Sequence, residues 1–129
     1  MTLFEELKEL LKRAYAPYSG FRVACVVVDG EGRRYGGVNV ESAAYPTTMC
    51  AERAAVFRAV AEGCVPGTIR EVHVLAHDGN GFVEASPCGA CRQVIAEQSR
   101  NGAVVYIYRA DGEAETLAIT RLLPLAFSL

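Results

Sequence analysis

The sequence lacks any long uninterrupted apolar stretch. A membrane-spanning helix needs about 18 or more consecutive apolar residues, and no such run occurs in the 129 residues. The N-terminus also lacks the basic region, apolar stretch and cleavage site of a secretory signal peptide, so we expect a cytoplasmic protein with no membrane partner. There is no internal repeat, low-complexity segment or interdomain linker, which predicts one domain over residues 1–129.

Positive charge is also scarce. Lysine and arginine total 13 against 15 aspartate and glutamate residues, which gives a net charge of −2. A protein that binds nucleic acid needs a basic surface for the phosphates, so nucleic acid is not expected as a partner. Five cysteines without a secretory signal favour a reducing compartment and metal binding over disulfides. The apolar fraction of 51% is high for a small monomer and favours self-association.

Two cysteine motifs are the most informative part of the chain. Cys50 lies two residues before Glu52, and Cys88 and Cys91 form a Cys-x-x-Cys pair directly after Pro87. Catalytic zinc sites use three protein ligands and leave the fourth position to water, whereas structural sites are closed by a fourth protein ligand. No further cysteine or histidine lies at suitable spacing. We therefore predict one Zn²⁺ per chain, bound by the three cysteines at two helix N-termini.

The residues beside these ligands suggest a division of roles. Glu52 shares its turn with Cys50, so we predict that it moves protons rather than binds metal, a role that typically contributes about 10²–10⁴-fold to a rate. Three thiolates on one dication leave excess negative charge, which works against acidifying a bound water. Arg53 lies one helical turn after Cys50 and can compensate this charge by hydrogen bonding to sulfur. Arg92 is a second, weaker candidate for the same role.

The remaining cysteines and the histidines do not fit the pattern. We interpret Cys25 and Cys64 as structural, because free cysteine behaves as a small buried hydrophobe. His73 lies within an apolar strand and His77 begins a turn. Neither histidine has the sequence spacing of a metal ligand relative to the cysteines. Both histidines are therefore excluded from the predicted metal site.

Hydrophobic periodicity predicts an α/β chain. An amphipathic first helix starts after Thr2, which can cap it in a capping box with Glu5, and Pro17 stops it. Further helices are predicted at about 49–63 and 88–98. Five strands are predicted at 22–28, 33–40, 72–76, 103–108 and 115–119. Helices that flank such a series give a sheet covered on both faces.

The two cysteine motifs resemble those of a known family. Cys-Ala-Glu at 50–52, followed by Pro-Cys-Gly-Ala-Cys-Arg-Gln at 87–93, is similar to zinc-dependent cytidine deaminases of the small, three-cysteine type. The similarity extends over nearly the whole chain through 15–21, 39–45 and 122–127. It implies a three-layer α/β/α sandwich with a five-stranded mixed sheet. It also implies a homotetramer that deaminates cytidine and deoxycytidine to uridine and deoxyuridine in pyrimidine salvage.

The resemblance also implies substrate contacts within the chain. Phe21 would flank the pyrimidine ring, although from the residues alone it could equally be a core aromatic. Asn39 and Glu41 lie two apart at a strand end, so their side chains face the same way, and in the family the matching pair bonds the ribose hydroxyls. Ala51, between a ligand and the catalytic glutamate, would contact the substrate as well.

Other positions match residues that in the family act between subunits. Ala43 and Tyr45 match positions that border a neighbouring subunit's nucleoside, and Phe127 matches a residue that packs against the base in another subunit's site. Packing within one chain is the alternative for Tyr45, and docking of the apolar C-terminus on its own domain is the alternative for Phe127.

The sequence leaves two other functions open. A structural zinc module for binding would need a closed metal site, so open coordination separates it from an enzyme. A deaminase of polynucleotides or of a nucleoside antibiotic would keep the zinc motif. The acidic balance disfavours polynucleotides, and the pair Asn39 and Glu41 favours a ribonucleoside over an antibiotic.

Overall fold

The computed structural model describes residues 1–129, which form six strands and four helices. In chain order they are α1 (Leu3–Leu11), β1 (Arg22–Asp29), β2 (Arg34–Val38), α2 (Ala51–Ala61), β3 (Ile69–His77), β4 (Phe82–Val83), α3 (Gly89–Ser99), β5 (Val104–Tyr108), β6 (Ala114–Ala118) and α4 (Ile119–Leu122). A 3-10 turn covers Tyr45–Thr47. None of the helices has the length and apolarity to span a membrane.

All six strands belong to one mixed sheet. The strand order is β2-β1-β3-β5-β6, and β4 pairs with β3 outside this path. Only β3 and β5 run parallel, and every other pair is antiparallel. The predicted mixed sheet is confirmed, with six strands instead of five. The additional strand, β4, has only two residues, which is too short to show the alternation that reveals a strand in a sequence.

Helices cover both faces of the sheet, as predicted. On one face α1 packs Leu7 and Leu11 against Val26 and Leu75 of the sheet. On the other face the larger core cluster joins α2 and α3 to the opposite side of the same strands. Successive residues of β1 alternate between the two clusters because strand side chains point to opposite faces. Both cysteines predicted to be structural, Cys25 and Cys64, are buried free thiols in the larger cluster.

The helix termini decide where the reactive residues lie. The predicted capping box at the start of α1 is confirmed: Glu5 N donates to Thr2 Oγ1 over 3.1 Å and Thr2 N donates to Glu5 Oε1 over 3.0 Å. The second and third helices begin slightly later than predicted, so that Cys50 is the N-cap of α2 and Cys88 is the N-cap of α3. The short α4 was not predicted, since its four residues show no complete period.

A glycine in β2 brings α2 close to the sheet. A Cβ at Gly37 would lie 2.7 Å from the carbonyl oxygen of Ala51 and closer still to the backbone nitrogen of Ala55. Only glycine tolerates such close backbone approach without displacing the helix. Because Ala51 and Ala55 belong to the first turns of α2, this contact fixes the height of the N-terminus of α2 above the sheet.

A buried polar cluster lies on the face that α1 covers. His73 is only 2% exposed. Its Nδ1 lies 2.8 Å from the Tyr108 hydroxyl, its Nε2 lies 2.7 Å from Glu71 Oε1, and its ring stacks on Tyr106 at 4.4 Å between centroids. With both nitrogens engaged, His73 is not available to a metal, in agreement with the sequence prediction. Burial lowers the pKa of His73, although Glu71 partly opposes this.

We predict that His73 makes stability depend on pH. Since the folded chain resists protonation of His73, it binds fewer protons than the unfolded chain just below pH 6.5, the ordinary pKa of histidine. The free energy of unfolding should therefore fall as the pH drops through this window. Chemical denaturation at about pH 7.5 and about pH 5.5 should show a smaller loss for His73→Gln than for the parent protein. His77→Gln is the control and should keep the parent's dependence. An equal loss in His73→Gln would show that His73 is not responsible.

Candidate functional site

Two helix N-termini meet at the cysteine motifs. Cys50 follows Met49, which pairs in antiparallel fashion with Val40, and this pairing holds the chain extended up to the start of α2. Cys88 follows the fully buried Pro87 and caps α3. Cys91 lies in the first turn of α3 and is buried. Both helices therefore begin at the cysteine motifs, and the partial positive charge of a helix N-terminus favours thiolates there.

The spacing of the three sulfur atoms fits zinc. The Sγ atoms of Cys50 and Cys88 are 3.8 Å apart, and those of Cys50, Cys88 and Cys91 all lie within 4.8 Å of one another. Zinc–sulfur bonds of about 2.3 Å at tetrahedral angles place two sulfurs about 3.8 Å apart. No fourth histidine, cysteine or carboxylate belongs to this group. The donor set is that of a catalytic zinc site with one open position.

Cys88 and Cys91 differ in how readily they ionise. Burial works to raise the pKa of Cys88, but hydrogen bonds from the backbone N–H of Cys91 and from neighbouring thiols outweigh it and lower the pKa. For Cys91, burial and then the negative charges of Glu52 and Cys50 raise the pKa well above its usual range. Cys88 thus ionises more easily than Cys91, and metal binding has to displace the proton of Cys91.

Arg53 lies against the thiols. Its Nη2 donates to Cys50 Sγ over 3.4 Å, and hydrogen bonds to Cys50 and then Cys91 raise the pKa of the guanidinium. The Nε of Arg53 is buried without an acceptor. A thiolate accepts hydrogen bonds better than a thiol, so the bond from Nη2 favours the deprotonated sulfur that zinc requires.

Arg92 does not reach the sulfurs. Its guanidinium donates to the carbonyl oxygens of Pro87 and Leu122 and to Ser86 Oγ, over 2.7, 2.8 and 2.6 Å. The interpretation of Arg92 as a second thiolate partner was therefore wrong. The sequence predicts that Arg92 lies on α3, but it does not predict which groups the long side chain donates its hydrogen bonds to.

Glu52 lies beside the thiols but outside the ligand group. It is 5% exposed, in the first turn of α2. Burial raises the pKa of its carboxyl, and the backbone N–H of Glu52 and the charge of Arg53 oppose this only in part. A carboxyl whose pKa is raised toward neutrality can both accept and release a proton, which is what a general acid–base residue does.

A cleft of about 280 Å³ opens over Glu52 and the sulfurs of Cys50 and Cys88. This volume is just below the range of about 300–1,000 Å³ that is usual for small-molecule sites. Four of the predicted substrate residues line it: Phe21, Asn39, Glu41 and Ala51. No lysine or arginine is among its lining residues. Several other residues line the cleft without having been predicted as site residues, namely Ser19, Val23, Thr48, Met49, Ala85 and Ser86.

The amide of Asn39 and the carboxylate of Glu41 already hold the loop that carries Phe21. Asn39 Nδ2 donates to Phe21 O and Asn39 Oδ1 accepts from Val23 N, both over 2.8 Å. Glu41 accepts from the backbone N–H groups of Tyr18 and Ser19 over 2.9 and 3.1 Å, and also from the Ser19 hydroxyl. The Ser19 hydroxyl is the main cause that lowers the pKa of Glu41.

This arrangement leaves hydrogen-bonding capacity in the cleft. Asn39 keeps a second N–H, and the carboxylate of Glu41 keeps an unused acceptor position. Contact of this pair with a sugar stays a prediction. Ser19 could have been found from the sequence only through its place in the segment 15–21 beside Phe21, since a serine before a glycine is otherwise typical of any turn.

The residues assigned to subunit contacts lie outside this cleft. Tyr45 is 75% exposed, and with Tyr18 it borders a second depression that shares Ser19, Glu41 and Thr48 with the cleft. Ala43 is also exposed. Phe127 is 69% exposed, and its carbonyl accepts from Gln93 Nε2 over 3.0 Å. Within one chain, none of these three side chains reaches the metal site, so their roles between subunits stay predictions.

Comparison with known proteins agrees with this geometry. A family model described as the cytidine and deoxycytidylate deaminase zinc-binding region matches residues 1–108, which include the three cysteines of the metal site. The chain is 41% identical to the cytidine deaminase of Sporosarcina psychrophila over 98% of this chain and 89% of that protein. It is 36% identical to the cytidine deaminase of Halalkalibacterium halodurans over 98% and 92% of the two chains.

Solved structures give the same answer for the fold. A crystal structure of cytidine deaminase from Burkholderia pseudomallei superposes with a TM-score of 0.87 at 37% identity and covers 98% of this chain and 100% of that one. A cytidine deaminase structure from Mycobacterium tuberculosis gives a TM-score of 0.76 at 28% identity, with full coverage of both chains. Cys50, Cys88 and Cys91 form the metal site of the chain, and its metal is zinc. The chain belongs to the cytidine and deoxycytidylate deaminase zinc-binding family.

Proposed function

We propose that this chain catalyses the hydrolytic deamination of cytidine and deoxycytidine, which yields uridine or deoxyuridine and ammonia. The observation that carries the proposal is the buried carboxyl of Glu52 beside a three-cysteine zinc site at the base of a small cleft. A general acid–base group next to an open metal position is the arrangement that hydrolysis needs. The family membership of the chain supports the same reaction.

Each residue of the site has a role in this reaction. When bound, zinc supplies a Lewis acid that lowers the pKa of a water molecule. Glu52 would accept a proton from the attacking water as its oxygen adds to C4 of the cytosine ring, and it would deliver that proton to N3. The second proton of the water would pass from the new C4 hydroxyl through Glu52 to the amine. As the C4–O double bond forms, the bond between C4 and the amino nitrogen breaks and ammonia leaves. Arg53 donates a hydrogen bond to Cys50 Sγ and so offsets negative charge at this ligand.

The cleft favours a nucleoside over a nucleotide. Its lining includes the carboxylates of Glu41 and Glu52 and no cationic side chain. A 5′-phosphate would thus meet negative charge without a compensating arginine or lysine, which disfavours binding. In this proposal Phe21 flanks the base, while Asn39 and Glu41 bond the sugar hydroxyls. The net charge of −2 disfavours a polynucleotide in the same way.

We further infer a homotetramer in which neighbouring chains complete each site. Phe57 and Val60 on α2 are about half exposed, and the tail exposes Leu125, Phe127 and Leu129. A tail this apolar is stabilised when another surface covers it. Phe127 would then close a neighbour's cleft, with Ala43 and Tyr45 beside it. Residues 1–129 would act as one domain with one sheet. Five free cysteines suit the reducing cytoplasm, where pyrimidine salvage takes place.

The direct test is turnover by the purified, zinc-loaded protein. Cytidine and deoxycytidine should be converted to uridine and deoxyuridine with stoichiometric ammonia, and cytidine 5′-monophosphate should react far more slowly because of the acidic cleft. Glu52→Gln should keep one zinc per chain and lose turnover by about 10²–10⁴-fold, since the proton carrier is gone. Product chromatography and metal analysis provide both measurements.

Glu113→Gln, in an exposed turn, is the matched control and should behave as the parent protein. Loss of zinc from Glu52→Gln would make Glu52 a ligand. Near-parent activity in that variant would require another base. Faster turnover of the monophosphate than of the nucleoside would overturn the argument from the charge of the cleft.

Site sharing is tested by mixing two inactive variants. Removal of residues 127–129 should raise KM for cytidine and leave zinc bound, because Phe127 acts on the substrate and not on the metal. Oligomers reassembled from this truncation and Glu52→Gln chains contain some sites with an intact Glu52 and a donated Phe127. Activity should therefore return in part. Absence of recovery, when mass spectrometry shows that subunits have exchanged, would leave Phe127 serving its own chain.

A further inference from the structure

Arg92 joins three segments that no other side chain joins. Its Nε donates to Pro87 O over 2.7 Å, its Nη2 to Ser86 Oγ over 2.6 Å and its Nη1 to Leu122 O over 2.8 Å. Ser86 and Pro87 lead directly into the zinc ligand Cys88, and Leu122 is the last residue of α4. One planar side chain thus connects the ligand segment and α3 to the element from which the C-terminal tail departs.

The charge of Arg92 makes this arrangement informative. It forms no ion pair with a carboxylate, and all three of its acceptors are neutral. It lies near the N-terminus of α3, where the helix dipole disfavours a cation. Three hydrogen bonds from a charged donor offset these costs, and they do so only while Ser86, Pro87 and Leu122 keep their places. The guanidinium is therefore sensitive to the position of each segment.

The acceptors are groups that have no other partner in regular structure. Leu122 lies at the end of α4, where the last carbonyl groups of a helix lack intrahelical donors. Pro87 O directly precedes the N-cap residue of α3. One residue beyond Arg92, Gln93 Nε2 donates to Phe127 O over 3.0 Å. The first turns of α3 therefore hold the ligand segment on one side and the tail on the other.

We propose that Arg92 is a positioning residue that fixes Cys88 for zinc and couples the metal site to α4 and the C-terminal tail. The proposal deepens the proposed function, because it assigns a role within the same site. Groups that orient metal ligands from outside the ligand set typically change metal affinity by about 10- to 100-fold when removed. Coupling of this kind is reciprocal, so zinc should also stabilise α4 through Arg92.

The test compares zinc release and backbone hydrogen exchange in the purified full-length protein. Arg92→Gln should release zinc to a chelator about tenfold faster or more than the parent. In the parent, zinc removal should increase amide exchange across residues 119–129. In Arg92→Gln, exchange there should already be high with zinc bound and should respond little to its removal. Neither measurement involves substrate, so a result that contradicts the role of Arg92 is distinguishable from a result that contradicts the deaminase proposal.

Two further variants distinguish positioning from charge and from general stability. Arg92→Lys keeps the charge but cannot make three hydrogen bonds in the same plane, so it should also release zinc faster than the parent. Arg70→Gln is the matched control, because Arg70, like Arg92, donates only to neutral acceptors, in its case the carbonyl oxygens of Gly67 and Ile69, and it should behave as the parent. Zinc release from Arg92→Lys at the rate of the parent would show that the positive charge of Arg92 suffices, and would contradict a positioning role for its three hydrogen bonds. Tail exchange that responds to zinc equally in Arg92→Gln and the parent would overturn the coupling.

Discussion

The structure depends on holding three thiolates together around one dication. Mutual repulsion and burial both oppose this, and the raised pKa of Cys91 records that opposition. Three sources of positive charge offset this opposition: the N-termini of α2 and α3, and the guanidinium of Arg53, which donates to Cys50. Each of these would be misplaced if either helix began one residue earlier or later. The starts of the two helices are therefore the constraint that the scaffold has to meet.

The scaffold meets this constraint with few residues. Gly37 lets α2 approach the backbone of β2, which sets the height of Cys50 and Glu52. The pairing of Met49 with Val40 ties the start of α2 to the segment that presents Asn39 and Glu41. Those side chains in turn hold the loop of Phe21. Metal site, acid–base residue and cleft wall are thus positioned through one continuous set of backbone contacts.

Much of this could be predicted from the sequence, and the reason is chemical. Thiol, carboxylate and Cys-x-x-Cys spacing restrict the metal and the geometry strongly, so Cys50, Glu52, Cys88 and Cys91 were found as a set. Periodicity gave the layers and five of six strands. The failures are short or long-range features. Two-residue β4 and four-residue α4 lack a period. Arg92 donates to a neutral acceptor 30 residues away in the chain. No local sequence pattern predicts such a contact.

The proposed reaction requires a zinc ion held by three thiolates with one position open to a light-atom ligand. X-ray absorption at the zinc edge of the purified protein reports this coordination. We expect three sulfur neighbours at about 2.3 Å and one oxygen or nitrogen neighbour at about 2.0 Å. In a Cys88→Ala variant, any zinc that remains should show fewer sulfur neighbours. Four sulfur neighbours in the parent protein would indicate a closed structural site and would contradict a hydrolytic role for Glu52.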